Sequence, residues 1–434
     1  GAFMAEKLTV FPSRLGGEVT VPPSKSYGHR LLIAAALCDR PTAIIGLGDC
    51  DDIRATADCL RAVGTGIGYD GSRCVIIPRK GFRTELRTEL RTDKKVVLDC
   101  GQSGSTARFL LPVVAALGIN ARMVGSGRLP ERPMLPLTDL LRRHGVTVSR
   151  DNLPLDISGK LCGDGFEADG SVSSQFISGL LFALPLLGHP CTLRVTGKAE
   201  SVNYIDMTVS VLRGFGADIL QKGNTFEVNS GFHAKAEEYR VEGDWSAAAF
   251  WMAAGAVGGK GIKINGLSAD SLQGDRAICA ALAGFGAEVT VLGDSVTVQR
   301  GKKLHSAVID CKNIPDLVPA LAVAAAYAEG ESIFRNISRL RIKESDRVEA
   351  VISMLSAFGI VAYADTDCLH VTGGHPHGGV VNSFGDHRIA MAAAVCAAFA
   401  EGKSVISEPG CASKSYPDFF TDFAEKLGGK IKFD

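Results

Sequence analysis

No two of the twelve cysteines stand three residues apart, so the chain has no CxxC ligand or redox pair. Scattered thiols of this kind fit reduced side chains buried as small hydrophobes, and no metal-ligand spacing emerges. Net charge is also missing, because 47 lysines and arginines balance 47 aspartates and glutamates. There is then no global field to draw in nucleic acid or an anionic membrane, and any anion site has to be a local cluster. No apolar run reaches the roughly 18 unbroken residues of a membrane span. The opening stretch, GAFMAEKLTV, has no basic segment ahead of an apolar core, so no secretory leader is expected, and GAF before Met4 reads as an expression scar. The expected compartment is the cytoplasm.

What is present is an ordinary globular composition, 46% hydrophobic and 22% charged, over 434 residues. That supports a real core in two or three domains. One pattern recurs six times: RAVGTGI, RRHGVTV, RGFGADI, AGFGAEV, SAFGIVA and EKLGGKI. In each, an amphipathic segment ends at a glycine and a strand-like run follows. The glycines are Gly64, Gly145, Gly216, Gly286, Gly359 and Gly428, spaced by 81, 71, 70, 73 and 69 residues. Each is expected to be a left-handed helix C-cap. The first spacing is long because of RTELRTELRTD (83–93), a charged tandem repeat read as a solvated loop insertion. Ahead of each glycine lies an almost wholly apolar, alanine-rich stretch, such as HRLLIAAAL or HRIAMAAAVCAAFAEG. A helix apolar on all sides is a buried helix. Six units of buried helix, strand, outer helix and further strands imply two domains of three.

The starts of the six buried helices differ. PSKS, GQSGST and SVSSQ carry hydroxyls and amides without a carboxylate, whereas GDWS, IPD and FGDHR each carry an aspartate. Both sets are acceptable N-caps, and capping alone accounts for Asp244. The first set also comes with Lys25, Arg30, Arg108 and, in GRLPERP, Arg128. Uncharged helix starts supplied with cations suit a phosphate or carboxylate. PSKS lacks the glycines of a P-loop. The later units add Arg341, Lys343, Glu344, Asp346 and Arg347 in RLRIKESDR, His387 and Arg388 in GDHR, and Lys414 in CASKSYPDFF.

Together PPSKSYGHR, GQSGSTAR, GRLPERP, SVSSQF, SVNYIDMT, NIPD, RIKESDR and GDHRIAM, in this order along nearly the whole chain, resemble the 5-enolpyruvylshikimate-3-phosphate synthase family of enolpyruvyl transferases. The resemblance implies an α/β (α+β) fold of two similar domains. Each would hold three βαβαββ units with buried parallel helices, an inside-out α/β barrel, and the active site would lie in the inter-domain cleft. The domains would be residues 23–242, and 1–22 with 243–434. It implies transfer of the enolpyruvyl group of phosphoenolpyruvate to the 5-hydroxyl of shikimate 3-phosphate, with phosphate released and no cofactor or metal. Shikimate 3-phosphate would then meet Lys25, Ser26, Arg30, Ser173, Ser174, Gln175, Ser201, Tyr204, Asp316 and Lys343. Phosphoenolpyruvate would meet Lys25, Gly104, Arg128, Gln175, Arg347, Arg388 and Lys414, with Glu344 beside them. Asp316 would handle the hydroxyl proton, and Lys25 or Glu344 the methylene proton. Gln102 and Arg339 depart from the pattern better known in bacteria.

Two other readings stand beside this one. A UDP-N-acetylglucosamine enolpyruvyl transferase shares the chemistry, but that family carries Lys-Asn where this chain has Lys25-Ser26, and a loop cysteine that GSGRLPERPM lacks. A non-catalytic anion-binding protein would need the cations but neither Asp316 nor Glu344. Without a heptad or an obvious sticky edge, a monomer is expected, with no nucleic-acid or membrane partner.

Overall fold

The computed structural model describes residues 5–78, 95–198, 201–258 and 260–434, and the insertion at 83–93 lies outside them. Among the described residues the strands form six four-stranded sheets of one design. In the sheet nearest the start of the first unit, Glu238–Arg240 runs parallel to Thr42–Ile45. Thr42–Ile45 pairs antiparallel with Arg73–Ile77, which pairs antiparallel with Gly66–Asp70. The other five sheets repeat this pattern of one parallel and two antiparallel pairings. Burial alternates along the strands, as in Cys191–Thr196, so each sheet shows one face to the core and one to water.

The chain divides into two compact units, Lys25–Val241 and Gly1–Ser24 with Glu242–Asp434. In the second unit the N-terminal segment supplies strands to two sheets. Gly17–Thr20 pairs with Ile262–Asn265, and Lys7–Phe11 lies between Ser404–Ser407 and Lys430–Phe433.

The six apolar stretches are the buried helices Lys25–Leu37, Gly104–Leu117, Ser174–Ala183, Trp245–Val257, Val318–Tyr327 and His387–Phe399. They form the centre of each unit's core. Alanine and glycine let them approach closely. A Cβ on Gly179 would come within 2.3 Å of the Arg108 carbonyl oxygen and 2.9 Å of the Pro112 ring. In the second unit, Trp251 stacks on Phe419 at 4.4 Å and donates from Nε1 to the Tyr416 hydroxyl at 3.1 Å. All six repeat glycines adopt positive φ, from 75° to 101°, as a left-handed turn between helix and strand requires. The last outer helix is shorter than the pattern suggests. It is one α turn, Phe419–Thr421, followed by a π-helical segment, Asp422–Lys426.

Capping follows the chemistry at Ser103, Ser173, Asp244 and Asp386, but not at Asp316. Ser103 accepts from Thr106 N at 3.1 Å, Asp244 from Ala247 N at 2.9 Å and Asp386 from Arg388 N at 3.0 Å. Asp316 caps nothing. It lies inside the 3₁₀ turn Pro315–Leu317, and its carboxylate is taken up by cations instead.

Gly179→Ala is expected to destabilise the protein by about 1–3 kcal/mol, because backbone on the facing helix has to shift. The urea midpoint measures this. An unchanged midpoint would mean that the two helices separate without cost.

Candidate active site

In the unit Lys25–Val241, the first-turn residues of the buried helices are tied together by side chains. Lys25 Nζ lies 2.8 Å from Asp52 Oδ2, a carboxylate only 6% exposed. Arg30 is buried. Its Nε donates to Thr208 Oγ1 at 2.8 Å, Nη1 to the Ser26 carbonyl at 2.8 Å and Nη2 to the Tyr204 carbonyl at 3.2 Å. The guanidinium also sits 4.9 Å from the centre of the Phe109 ring. Burial pulls its pKa down to about 10, so it remains a cation at neutral pH. His29, Thr56, Thr106 and Ser103 form a buried hydroxyl chain with links of 2.8, 2.7 and 2.7 Å, locking two helix starts to the outer helix Asp51–Ala62.

Gln175, in the first turn of Ser174–Ala183, accepts from Arg108 Nη1 at 2.7 Å and donates to Ser105 Oγ at 3.0 Å. Ser173 caps that helix through Gln175 N at 3.2 Å. Ser173, Ser174 and Ser201 are all buried hydroxyls. Ser201 precedes Val202–Gly214 with φ 53°, a left-handed conformation that costs a serine on the order of 1 kcal/mol. Tyr204 sits one turn later, its ring 5.7 Å from the Arg30 guanidinium.

Gly104 opens its helix directly against Arg132, whose guanidinium atoms lie 2.8–2.9 Å from where a Cβ would be. Arg128 does not share that position. Its side chain is 38% exposed and its Nε pairs with Glu131 at 3.1 Å.

The other unit gathers the remaining predicted residues round one buried cation. Arg347 has a side chain 0% exposed. Nε and Nη2 grip Asp386 at 2.9 and 3.2 Å, Nη1 reaches Asp316 at 3.0 Å, and Nη2 also reaches Glu344 at 2.6 Å. Ser345 adds a hydrogen bond to Asp386 at 2.8 Å. Lys343 lies 3.4 Å and Arg388 3.7 Å from Asp316, and Lys414 lies 3.8 Å from Glu344. Burial alone would raise the Asp316 pKa, but Lys343, Arg388 and Arg347 together hold it well below the usual carboxylate range. Asp386 is likewise held low, against burial, by Arg347 and His387. Burial brings Lys343 down to about 8, despite the pull of Asp316.

Each unit thus holds buried cations, with hydroxyls at the helix starts of the one and strongly ionised carboxylates in the other, groups suited to anionic substrates. A family model for EPSP synthase (3-phosphoshikimate 1-carboxyvinyltransferase) matches residues 11–423. The chain belongs to the EPSP synthase family. The 3-phosphoshikimate 1-carboxyvinyltransferase of Clostridium acetobutylicum is 37% identical over 425 residues, covering 97% of both chains. That of Methanopyrus kandleri is 38% identical over 414 residues, covering 94% of this chain and 95% of its own. The fold is also that of an EPSP synthase from Acinetobacter baumannii, with a TM-score of 0.80 at 24% identity over 98% of this chain and 99% of that one. The enolpyruvyl transferase NikO from Streptomyces tendae has a TM-score of 0.77 at 23% identity, covering 99% of both chains.

Two residues of these clusters were not singled out by the sequence reading. Asp52 comes from an outer helix, so the spacing of its carboxylate to Lys25 has no local signature. Arg132 stands in the quoted motif GRLPERP, four residues from Arg128, and nothing in the motif ranks one arginine over the other.

Arg347→Met is expected to cost about 3–5 kcal/mol, because Asp386 is left as a buried unpaired charge. Arg347→Lys should recover little, since a point charge cannot bridge three carboxylates. Urea unfolding at pH 7 measures both. Asp386 has a lowered folded pKa, so its contribution to stability is present above about pH 4 and disappears as pH falls through the folded value. Asp386→Asn should accordingly flatten the acid limb of the stability curve.

Proposed function

We propose that this chain is a 3-phosphoshikimate 1-carboxyvinyltransferase that joins phosphoenolpyruvate to the 5-hydroxyl of shikimate 3-phosphate and releases phosphate. The observation that carries the reading is the convergence of Lys343, Arg347, Arg388 and Lys414 on Asp316 and Glu344. It supplies charge for anionic substrates and carboxylates for proton transfer in one cluster. A purely anion-binding protein has no use for those carboxylates.

In this reading Ser173, Ser174, Ser201 and Lys25 hold the shikimate phosphate, and Ser26, Arg30, Gln175, Tyr204 and Lys343 hold the ring and carboxylate. Arg30 has its three nitrogens anchored to Thr208, Ser26 and Tyr204, so it presents a fixed plane at no further entropic cost. Lys25, Gly104, Arg128, Gln175, Arg347, Arg388 and Lys414 meet phosphoenolpyruvate, with Arg132 against Gly104. The 5-hydroxyl oxygen attacks C2 of phosphoenolpyruvate while its proton passes to Asp316. C3 gains a proton from Lys25 or Glu344, giving a tetrahedral adduct. Phosphate then leaves, and a methyl proton returns to the same group. Asp316 is a weak base while three cations hold it ionised. Substrate anions that neutralise Lys343, Arg388 and Arg347 raise its basicity when it is needed. The cations also stabilise charge developing on the leaving phosphate.

Mixing the protein with both substrates should release inorganic phosphate, and neither substrate alone should. A folded protein that releases none contradicts the reading. Asp316→Asn should lower kcat by about 10²–10⁴ with a smaller change in KM. Lys25→Met should abolish turnover; near-normal rates would remove Lys25 from the mechanism.

A further inference from the structure

Asp275 belongs to none of the sets above. It lies in the short 3₁₀ turn Gly274–Ala277 and is 1% exposed. Its Oδ2 accepts from Ser246, in the first turn of the buried helix Trp245–Val257. Its Oδ1 is buried with no hydrogen-bond partner among the described residues. The segment around it is clamped to the same helix start. Gln273 Oε1 accepts from Trp245 N at 3.0 Å, and Gln273 Nε2 donates to the Gly243 carbonyl at 2.8 Å. The carboxyl is therefore held in place and cannot swing out to water.

The charged groups that act on Asp275 through space are Asp316 from the turn before Val318–Tyr327, Arg388 from His387–Phe399, and Asp244 from the cap of Trp245–Val257. Asp316 in turn faces Lys343 and Arg347, while on the same turn as Asp275 the Arg276 side chain is directed to the Ala269 carbonyl. An ionised Asp275 would add a further anion to a cluster that already holds Asp244, Asp316, Glu344 and Asp386. Its Oδ1 accepts no hydrogen bond among the described residues to offset the cost of burying that charge.

We infer that Asp275 is a positioning residue that sets the charge of this cluster: as a buried neutral acid it leaves Arg388 to substrate anions, and on ionisation it competes with them. Burial first, and Asp316 second, raise its pKa to about 7, whereas Arg388 and Ser246 pull it down. The transition thus falls in the working range of a neutral-pH enzyme. Because the neutral form is the binding-competent one, anion affinity is full below pH 7 and falls above it.

The inference rests on the proposed activity, and the test separates the two. Steady-state KM for phosphoenolpyruvate is measured from pH 6 to pH 8 for wild type and Asp275→Asn, which keeps the shape but cannot ionise. Titration of phosphoenolpyruvate itself is common to both proteins. The ratio of wild-type to variant KM should be near one at pH 6 and rise toward about tenfold at pH 8, the limit for one linked proton. A constant ratio, whatever its size, would reduce Asp275 to a structural role and overturn the inference. Ser246→Ala, which leaves the carboxyl in place, should move the wild-type inflection to higher pH; if Asp275→Asn does not fold, an unmoved inflection in Ser246→Ala overturns it equally. Should wild type release no phosphate from the two substrates, the proposed activity fails. Calorimetric binding of inorganic phosphate at pH 6 and 8 to wild type and the folded variant then decides Asp275 by the same ratio.

Discussion

One buried guanidinium organises the second unit's chemistry. Arg347 has no solvent to fall back on, so its charge is compensated by Asp386, Asp316 and Glu344 at once. Each of those carboxylates has a second duty. Asp386 caps a buried helix, Glu344 lies near Lys414, and Asp316 faces Lys343 and Arg388. A buried ion network of this kind is poor evidence for stability, since apolar packing would serve as well. It is better evidence for function, because it fixes charged side chains to within a hydrogen bond of one another.

The first unit reaches a similar end by other means. Its helix starts carry serines and a glutamine, and the rigid elements are buried hydrogen-bonded chains rich in hydroxyls, such as His29–Thr56–Thr106–Ser103. Neutral hydroxyls cost less to bury than charges and still present donors to an oxyanion. The same fold unit, used six times, thus serves a charge-poor cluster in one unit and a charge-dense one in the other. Family membership explains the shared frame. The difference between the halves follows from which residue type stands at each helix start.

Much of this was legible in the chain. The glycine spacing and the all-apolar stretches reveal the repeat because period and burial are local properties of sequence. Helix caps at Ser103, Ser173, Asp244 and Asp386 follow from residue type beside an apolar run. Asp316 misleads on the same rule, because tertiary cations outbid the backbone amides for its carboxylate. Contacts that join distant segments, Lys25 with Asp52 or Asp275 with the Asp316 cluster, have no fixed spacing and need the fold to appear. The motif resemblance reached most of the charged residues but could not say that Arg132, and not Arg128, stands against Gly104.

The strands Lys7–Phe11 and Gly17–Thr20 carry a consequence for biogenesis. They are made first, yet their partners Ile262–Asn265, Ser404–Ser407 and Lys430–Phe433 are made after the whole of the other unit. On a ribosome, Lys25–Val241 can close its own three sheets while the opening segment waits. That segment offers unpaired strand edges to whatever is nearby until those partners emerge. The step most exposed to misassembly is therefore the pairing of these two early strands with partners made so much later.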